Sequence, residues 1–177
     1  GGGFSFHPVN RLDRGTTGLL TVAKNGYIHD RLRRQLHTGT FFRQYLAVCV
    51  GAPQSPQGSV DLPIGRAPGS AILRRTSPDG QPAHTDYRVL ASAGGYSLVE
   101  LTPRTGRTHQ LRVHMAAIGC PLAGDWLYGR ESPAIARPAL HAARLRLFHP
   151  AAGAELSFSA PVPADMKNLL ERTICPN

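Results

Sequence analysis

The sequence is poor in several things at once, and each shortage excludes something. Its three cysteines, Cys49, Cys120 and Cys175, are widely spaced and form no Cys-x-x-Cys pair. Such a set builds neither a disulfide framework nor a zinc knuckle, so buried thiols in a reducing compartment are expected. No apolar run approaches the length of a membrane span, and no charged segment leads into a short apolar one; a soluble, cytoplasmic protein is expected. Gly-x-Gly-x-x-Gly, a Walker loop and His-Glu-x-x-His are missing, so the chemistry should run with no nucleotide or metal cofactor. Acid is scarce as well. Eleven Asp and Glu face twenty Lys and Arg, a formal net charge of +9.

That imbalance is the first positive signal. A field of this sign attracts polyanions, and arginine, which outnumbers lysine heavily here, pairs bidentately with phosphate and stacks on bases. The 177 residues suit one domain with a real core. The 19 glycines and 15 prolines announce many turns.

Periodicity gives a coarse map. A short apolar run over 18–24, ended by the pair Asn25-Gly26, reads as a strand and turn. Ile28, Leu32 and Leu36 recur every four residues with arginines between them, which predicts a helix with an arginine-rich outer face. Residues 43–50 read as a strand, with Tyr45, Ala47 and Cys49 on one side and Leu46, Val48 and Val50 on the other. Residues 60–64 form a short extended piece. Residues 72–76 and 84–91 read as a hairpin around the turn 77–80, and Gly94-Gly95 leads into a strand over 96–102. A helix is expected over 108–118 with Thr108 as its cap, then a hairpin of 139–148 with 155–159, and a last helix over 163–170. Strands outnumber helices and most neighbours are hairpin-linked. The expected fold class is α+β, a mostly antiparallel mixed sheet with a few flanking helices.

Three segments could carry chemistry. Asp13 sits between Arg11 and Arg14 in a Gly/Thr loop just before an apolar strand, where a sheet can present a side chain to a ligand. The stretch 105–114 places Arg107, Thr108 and His109 at a helix start whose amides suit an anion, with Arg112 at the edge of the buried stripe. His109 and His114 lie roughly 140° apart around that helix, poor geometry for a shared metal, so no metal site is expected. Arg43-Gln44-Tyr45 opens a strand. Alone, each segment has a plain structural reading: an ion pair, a solvated basic face, a packed tyrosine.

In this order, however, they resemble the RluA-type pseudouridine synthases. That family's His-Arg-Leu-Asp-Arg-x-Thr-Ser-Gly-Leu motif is matched by residues 10–19, with Asn10 for His and Thr17 for Ser. Its Arg/Lys-x-Tyr-Leu-Ala strand is matched by Arg43, Tyr45, Leu46 and Ala47, and its Gly-Arg-Thr-His-Gln-Ile/Leu-Arg-Val-His helix by residues 106–114. A Gly-x-Pro-x-x-Gly-Asp-x-x-Tyr-Gly segment follows at 119–129, and Leu62-Pro63-Ile64-Gly65-Arg66 and Leu140-His141-Ala142 also fit. The likeness runs from about residue 7 to residue 170. The family's preceding Lys-Pro-x-Gly segment is not found, which suggests a single catalytic domain, 1–177, lacking its N-terminal strands, with residues 1–5 a flexible lead-in.

The resemblance implies isomerisation of specific uridines in rRNA or tRNA to pseudouridine, without cofactor, by a monomer. It implies Asp13 as the carboxylate that attacks C1′ or assists formation of a glycal, and Arg112 as the partner that holds Asp13 ionised. Tyr45 would stack on the uracil and help remove the C5 proton. Arg11 would fill the gap that the flipped base leaves in the RNA stack. Arg14, Arg107, Thr108, His109, and Arg31 and Arg34 of the first helix would meet RNA. Two other readings compete: a catalytically silent RNA-binding or ribosome-assembly protein on the same scaffold, and a nucleoside hydrolase releasing uracil.

Overall fold

The computed structural model describes residues 6–174; the lead-in at residues 1–5 and Cys175 lie outside the described residues. The N-terminal stretch forms β1 (His7–Pro8), β2 (Thr17–Gly18) and β3 (Val22–Ala23), with β1 and β3 antiparallel. The continuous strand expected over 18–24 is therefore split. Its two ends serve different partners: β2 runs parallel to β10 (Leu140–Phe148), while β3 holds β1. Gly18, at φ 105, lies so close to the Ala142 backbone that a Cβ would collide with it. Asn25 does not make a turn but caps α1 (Gly26–Thr38), its Oδ1 accepting the Ile28 amide at 2.9 Å.

The main sheet has seven strands. Its path runs β11 (Glu155–Ser159), β10, β4 (Phe42–Val50), β9 (Tyr96–Pro103), β8 (His84–Ala93) and β5 (Gln57–Asp61), all antiparallel, with β2 sharing the β11 edge of β10. The expected hairpin of 72–76 with 84–91 is replaced by another pairing. β7 (Arg74–Thr76) pairs with β6 (Ile64–Arg66) in a separate two-stranded ribbon. The turn 77–80 folds back on β6: the Ser77 amide donates to Pro63 O at 2.8 Å, and Ile64 and Gln81 exchange amide bonds at 2.9 Å. Both edges of β8 are meanwhile occupied by β5 and β9.

Alternation along β4 divides the core as the sequence indicates. Tyr45, Ala47 and Cys49 pack with Val99, Leu101 and Leu140 beneath Leu111 and Met115 of α2 (Gln110–Ala117). On the opposite face Val48 packs with Ala139 under Met166 and Leu169 of α3 (Ala164–Thr173). Leu32 of α1 closes a third cluster with Val9, Phe41, Leu145 and Leu147. Among the described residues no helix is long and apolar enough to cross a membrane.

Candidate active site

Asp13 stands half-buried on the loop between β1 and β2, and that loop is held from several sides. The buried Asn10 side chain accepts the Thr21 amide at 3.0 Å, and the Thr16 amide donates to Asp13 O at 2.9 Å. Arg137 donates to Gly15 O at 3.0 Å while its Nε and Nη2 grip the Asp165 carboxylate at 2.7 and 2.9 Å. A reactive side chain fixed this way sits on a rigid frame although it belongs to a loop.

The loop opens onto a cavity of about 500 Å³. Its walls come from α1 through Arg33 and Leu36, from β4 through Arg43 and Tyr45, and from the segment leading into α2 through Arg104, Arg107 and Thr108. Among the described residues Asp13 is the one carboxylate in the lining, which also holds Arg11, Arg33, Arg43, Arg104 and Arg107; Arg104 pairs through Nε with Asp86, outside the lining, at 2.6 Å. Burial pushes the Tyr45 phenol above its ordinary range; the charge of Arg43 opposes this and that of Asp13 adds to it. Burial likewise holds the Arg43 guanidinium below its usual value, its Nη2 donating to Thr105 O at 3.3 Å. Gln110 locks the 104–108 segment: its Oε1 accepts the Thr105 hydroxyl at 2.7 Å and the Arg107 amide at 3.0 Å, and its Nε2 donates to His84 O and Thr85 Oγ1.

Arg112 does not pair with Asp13. It forms a two-pronged bond with Asp125, Nε to Oδ2 and Nη2 to Oδ1, both at 2.7 Å, with both side chains out of water. Asp125 Oδ1 also accepts the Leu127 amide at 3.1 Å, and the guanidinium lies 5.0 Å from the Tyr128 ring centroid. Burial works against the Arg112 charge, but the bonds to Asp125 and its charge outweigh that and raise its pKa, with a smaller contribution from Asp13. Asp13 is thus within electrostatic reach of Arg112 but not its ion-pair partner. The expectation fails because Arg112 lies fully inside the stripe, where the Gly124–Asp125 turn meets it. Gly124, at φ +71, sits against the Arg137 and Ile135 carbonyls where a Cβ would not fit.

α2 also begins two residues later than expected. Thr108 is not its cap; His109 precedes the helix in the left-handed region, at φ 56, with no side-chain cap bond. Its Nδ1 lies 2.7 Å from the Tyr128 hydroxyl. Burial lowers the His109 pKa, with Arg112 and Arg74 adding to the effect and Asp13 and Asp125 opposing it. A non-glycine residue in this conformation beside reactive groups is strain held in place by its surroundings.

The arginines of α1 separate. Arg34 pairs with Asp30 at 2.8 Å and Arg31 lies over the Tyr27 ring, both away from the cavity, whereas Arg33 lines it. Arg11, Arg107 and Thr108 line the cavity; the exposed Arg14 and the half-buried His109 do not. The sequence marks Arg33 only as one arginine of the helix over 28–36 expected to meet phosphate, and marks no role for Arg104, Gln110 or Arg137. Only the position of Arg33 next to Leu32 on the helix stripe hinted at its aim.

The model of the family described as RNA pseudouridylate synthase matches residues 1–117. The chain is 44% identical over 165 residues to the Bacillus subtilis protein named Uncharacterized RNA pseudouridine synthase YjbO, covering 93% of this chain and 58% of that one. It is 41% identical over 177 residues to the Escherichia coli K12 Ribosomal large subunit pseudouridine synthase D, covering 92% and 54%. It therefore spans little more than half the length of these relatives. The solved structure of Human RNA Pseudouridylate Synthase Domain Containing 4 superposes with a TM-score of 0.78 at 30% identity, over 97% of this chain and 78% of that one.

Proposed function

Because the chain belongs to the RNA pseudouridylate synthase family, we propose that it isomerises uridine in RNA to pseudouridine, with Asp13 as the catalytic carboxylate. The observation that carries the assignment of Asp13 is the cavity itself: among the described residues one carboxylate, on a loop tied at both ends, in a lining that also holds a buried tyrosine and five arginines, of which Arg104 is paired with Asp86. The reaction breaks the N1–C1′ bond, turns the uracil, joins C5 to C1′ and moves the C5 proton to the base nitrogen. Asp13 either bonds to C1′ while the base is free or takes a sugar proton on the way to a glycal; both need an ionised carboxylate in a site that keeps water out.

Tyr45 floors the cavity and stacks on the uracil. Its raised pKa keeps it a neutral phenol at pH 7, so its part in C5 deprotonation is a relay, taking the C5 proton as its own phenolic proton passes to the uracil nitrogen freed from C1′. Arg11, exposed at the rim, fills the space of the flipped base, offsetting an unstacking cost of a few kcal/mol. Arg33, Arg43, Arg104 and Arg107 meet the RNA backbone. Arg112, neutralised by Asp125 and outside the cavity lining, adds only a screened positive field. The E. coli relative's name points to ribosomal RNA of the large subunit as substrate, and the working unit is taken as a cytoplasmic monomer.

Tritium release from RNA labelled at uridine C5 tests the reading. The wild-type protein should release tritium and Asp13→Asn should lose release by at least about 10⁴-fold while still binding RNA, since a missing nucleophile leaves binding intact. Release that survives in Asp13→Asn would remove Asp13 from its role.

A further inference from the structure

A second cavity, of about 310 Å³, adjoins the first and shares its Arg107–Thr108 wall. It lies against the β6–β7 ribbon and is lined by Arg66, Arg74 and Arg107, with Asp79 as its one carboxylate among the described residues. Arg66 and Arg74 are direct partners across the two strands. Like charges placed opposite each other in an antiparallel pair are destabilising, so this pairing is a cost in the free protein.

None of these three arginines is neutralised by a carboxylate among the described residues. Arg74 Nη1 is bent onto the carbonyls of Ala71, Ile72 and Leu73 at 3.2–3.3 Å, and its amide donates to the Tyr128 hydroxyl at 3.0 Å. Arg107 is fixed by Pro82 O and Gln81 Oε1, both at 3.0 Å. Arg66 has no side-chain partner among the described residues. Carbonyls orient a guanidinium without cancelling its charge. The result is a preset cationic seat, one wall away from Asp13.

We propose that this second cavity seats a backbone phosphate of the RNA strand next to the nucleotide held in the main cavity. Arg66 and Arg74 grip it across the ribbon, and Arg107 bridges the two sites. A phosphate there turns the repulsion between Arg66 and Arg74 into two favourable pairings. The proposal rests on the synthase reading, but its test is made on binding and does not need turnover.

The measurement is the salt dependence of affinity for a fluorescein-labelled RNA stem–loop with an all-uridine loop, read by anisotropy. Arg66→Gln should weaken binding and lower the slope of log K against log salt by about 0.7, the loss expected for one phosphate contact on single-stranded RNA. Arg66→Lys should keep the slope. Arg75→Gln should also keep it, because strand alternation turns Arg75 to the other face of the ribbon. Arg66→Gln should melt no lower than wild type, since it relieves a like-charge pair. An unchanged slope in Arg66→Gln, or an equal loss in Arg75→Gln, overturns the proposal. So does inorganic phosphate that raises the Tm of wild type but not of Arg66→Gln while the slope stays fixed, which marks a pocket for free anions. Tritium release by wild type is scored separately, and its absence defeats the synthase reading alone.

Discussion

Asp125 neutralises a guanidinium that water cannot reach. Asp125→Asn keeps the shape and the amide bonds but leaves Arg112 charged and uncompensated, at 2% exposure, inside the core. Breaking a buried pair from one side costs about 3–5 kcal/mol, far more than loss of an exposed pair. We expect Asp125→Asn to lose stability in that range by urea denaturation, and Asp30→Asn, which breaks the exposed Arg34 pair, to lose less than about 1 kcal/mol. At this scale the motif singled out Asp13 and Tyr45, and the fold brings both to the lining of one cavity. The partner of Arg112 was not legible. Helical spacing tells which face a side chain leaves from, not which carboxylate folds onto it.

At the scale of the element, α2 carries a buried histidine, His114, bonded through Thr85 to the Gln110 network that positions the site. His114 is fully buried, its Nδ1 2.9 Å from Thr85 Oγ1 and its Nε2 2.9 Å from Leu62 O. The carbonyl fixes Nε2 as donor, so Nδ1 accepts from the Thr85 hydroxyl, whose oxygen in turn accepts from Gln110. Burial lowers the His114 pKa, with His84 adding to this and Leu62 O and Asp61 opposing it. The unfolded chain thus binds a proton at higher pH than the folded one. Its contribution to stability is complete above the unfolded value of about 6.5 and is lost as pH falls toward the lower folded value. Thermal melts between pH 7.5 and 5 should show this loss in wild type and a shallower one in His114→Gln; identical slopes would clear His114 of the effect. Elements with local causes were readable here: the 3.6 period of α1, the alternation of β4, the Gly94-Gly95 hairpin. The β6–β7 pairing was hidden because β8 looked available, and sequence does not show that two other strands had already taken both its edges.

Across the whole molecule, one side chain joins three distant parts. Arg137 reaches Gly15 O beside Asp13, the Pro138 and Leu140 carbonyls at the start of β10, and Asp165 at the start of α3. The antiparallel architecture could be inferred from successive hairpins. The closure of β2 on β10, with Thr17 bonded to His141 at 2.9 Å across 124 positions, could not, since neither segment carries a local mark of the other. Arg137 acts at that same closure, and two substitutions separate its duties. Asp165→Asn weakens the grip on α3 but leaves the Gly15 bond, so it should lower the Tm with kcat near wild type. Arg137→Ala removes both: it should lower the Tm and also reduce kcat for tritium release between about tenfold and a hundredfold, as expected when a reacting group is displaced by about 1 Å. KM for RNA should hold, because the arginines that line the cavity are untouched. Equal kcat losses in the two variants would mean that the α3 anchor, not the Gly15 bond, keeps Asp13 in place.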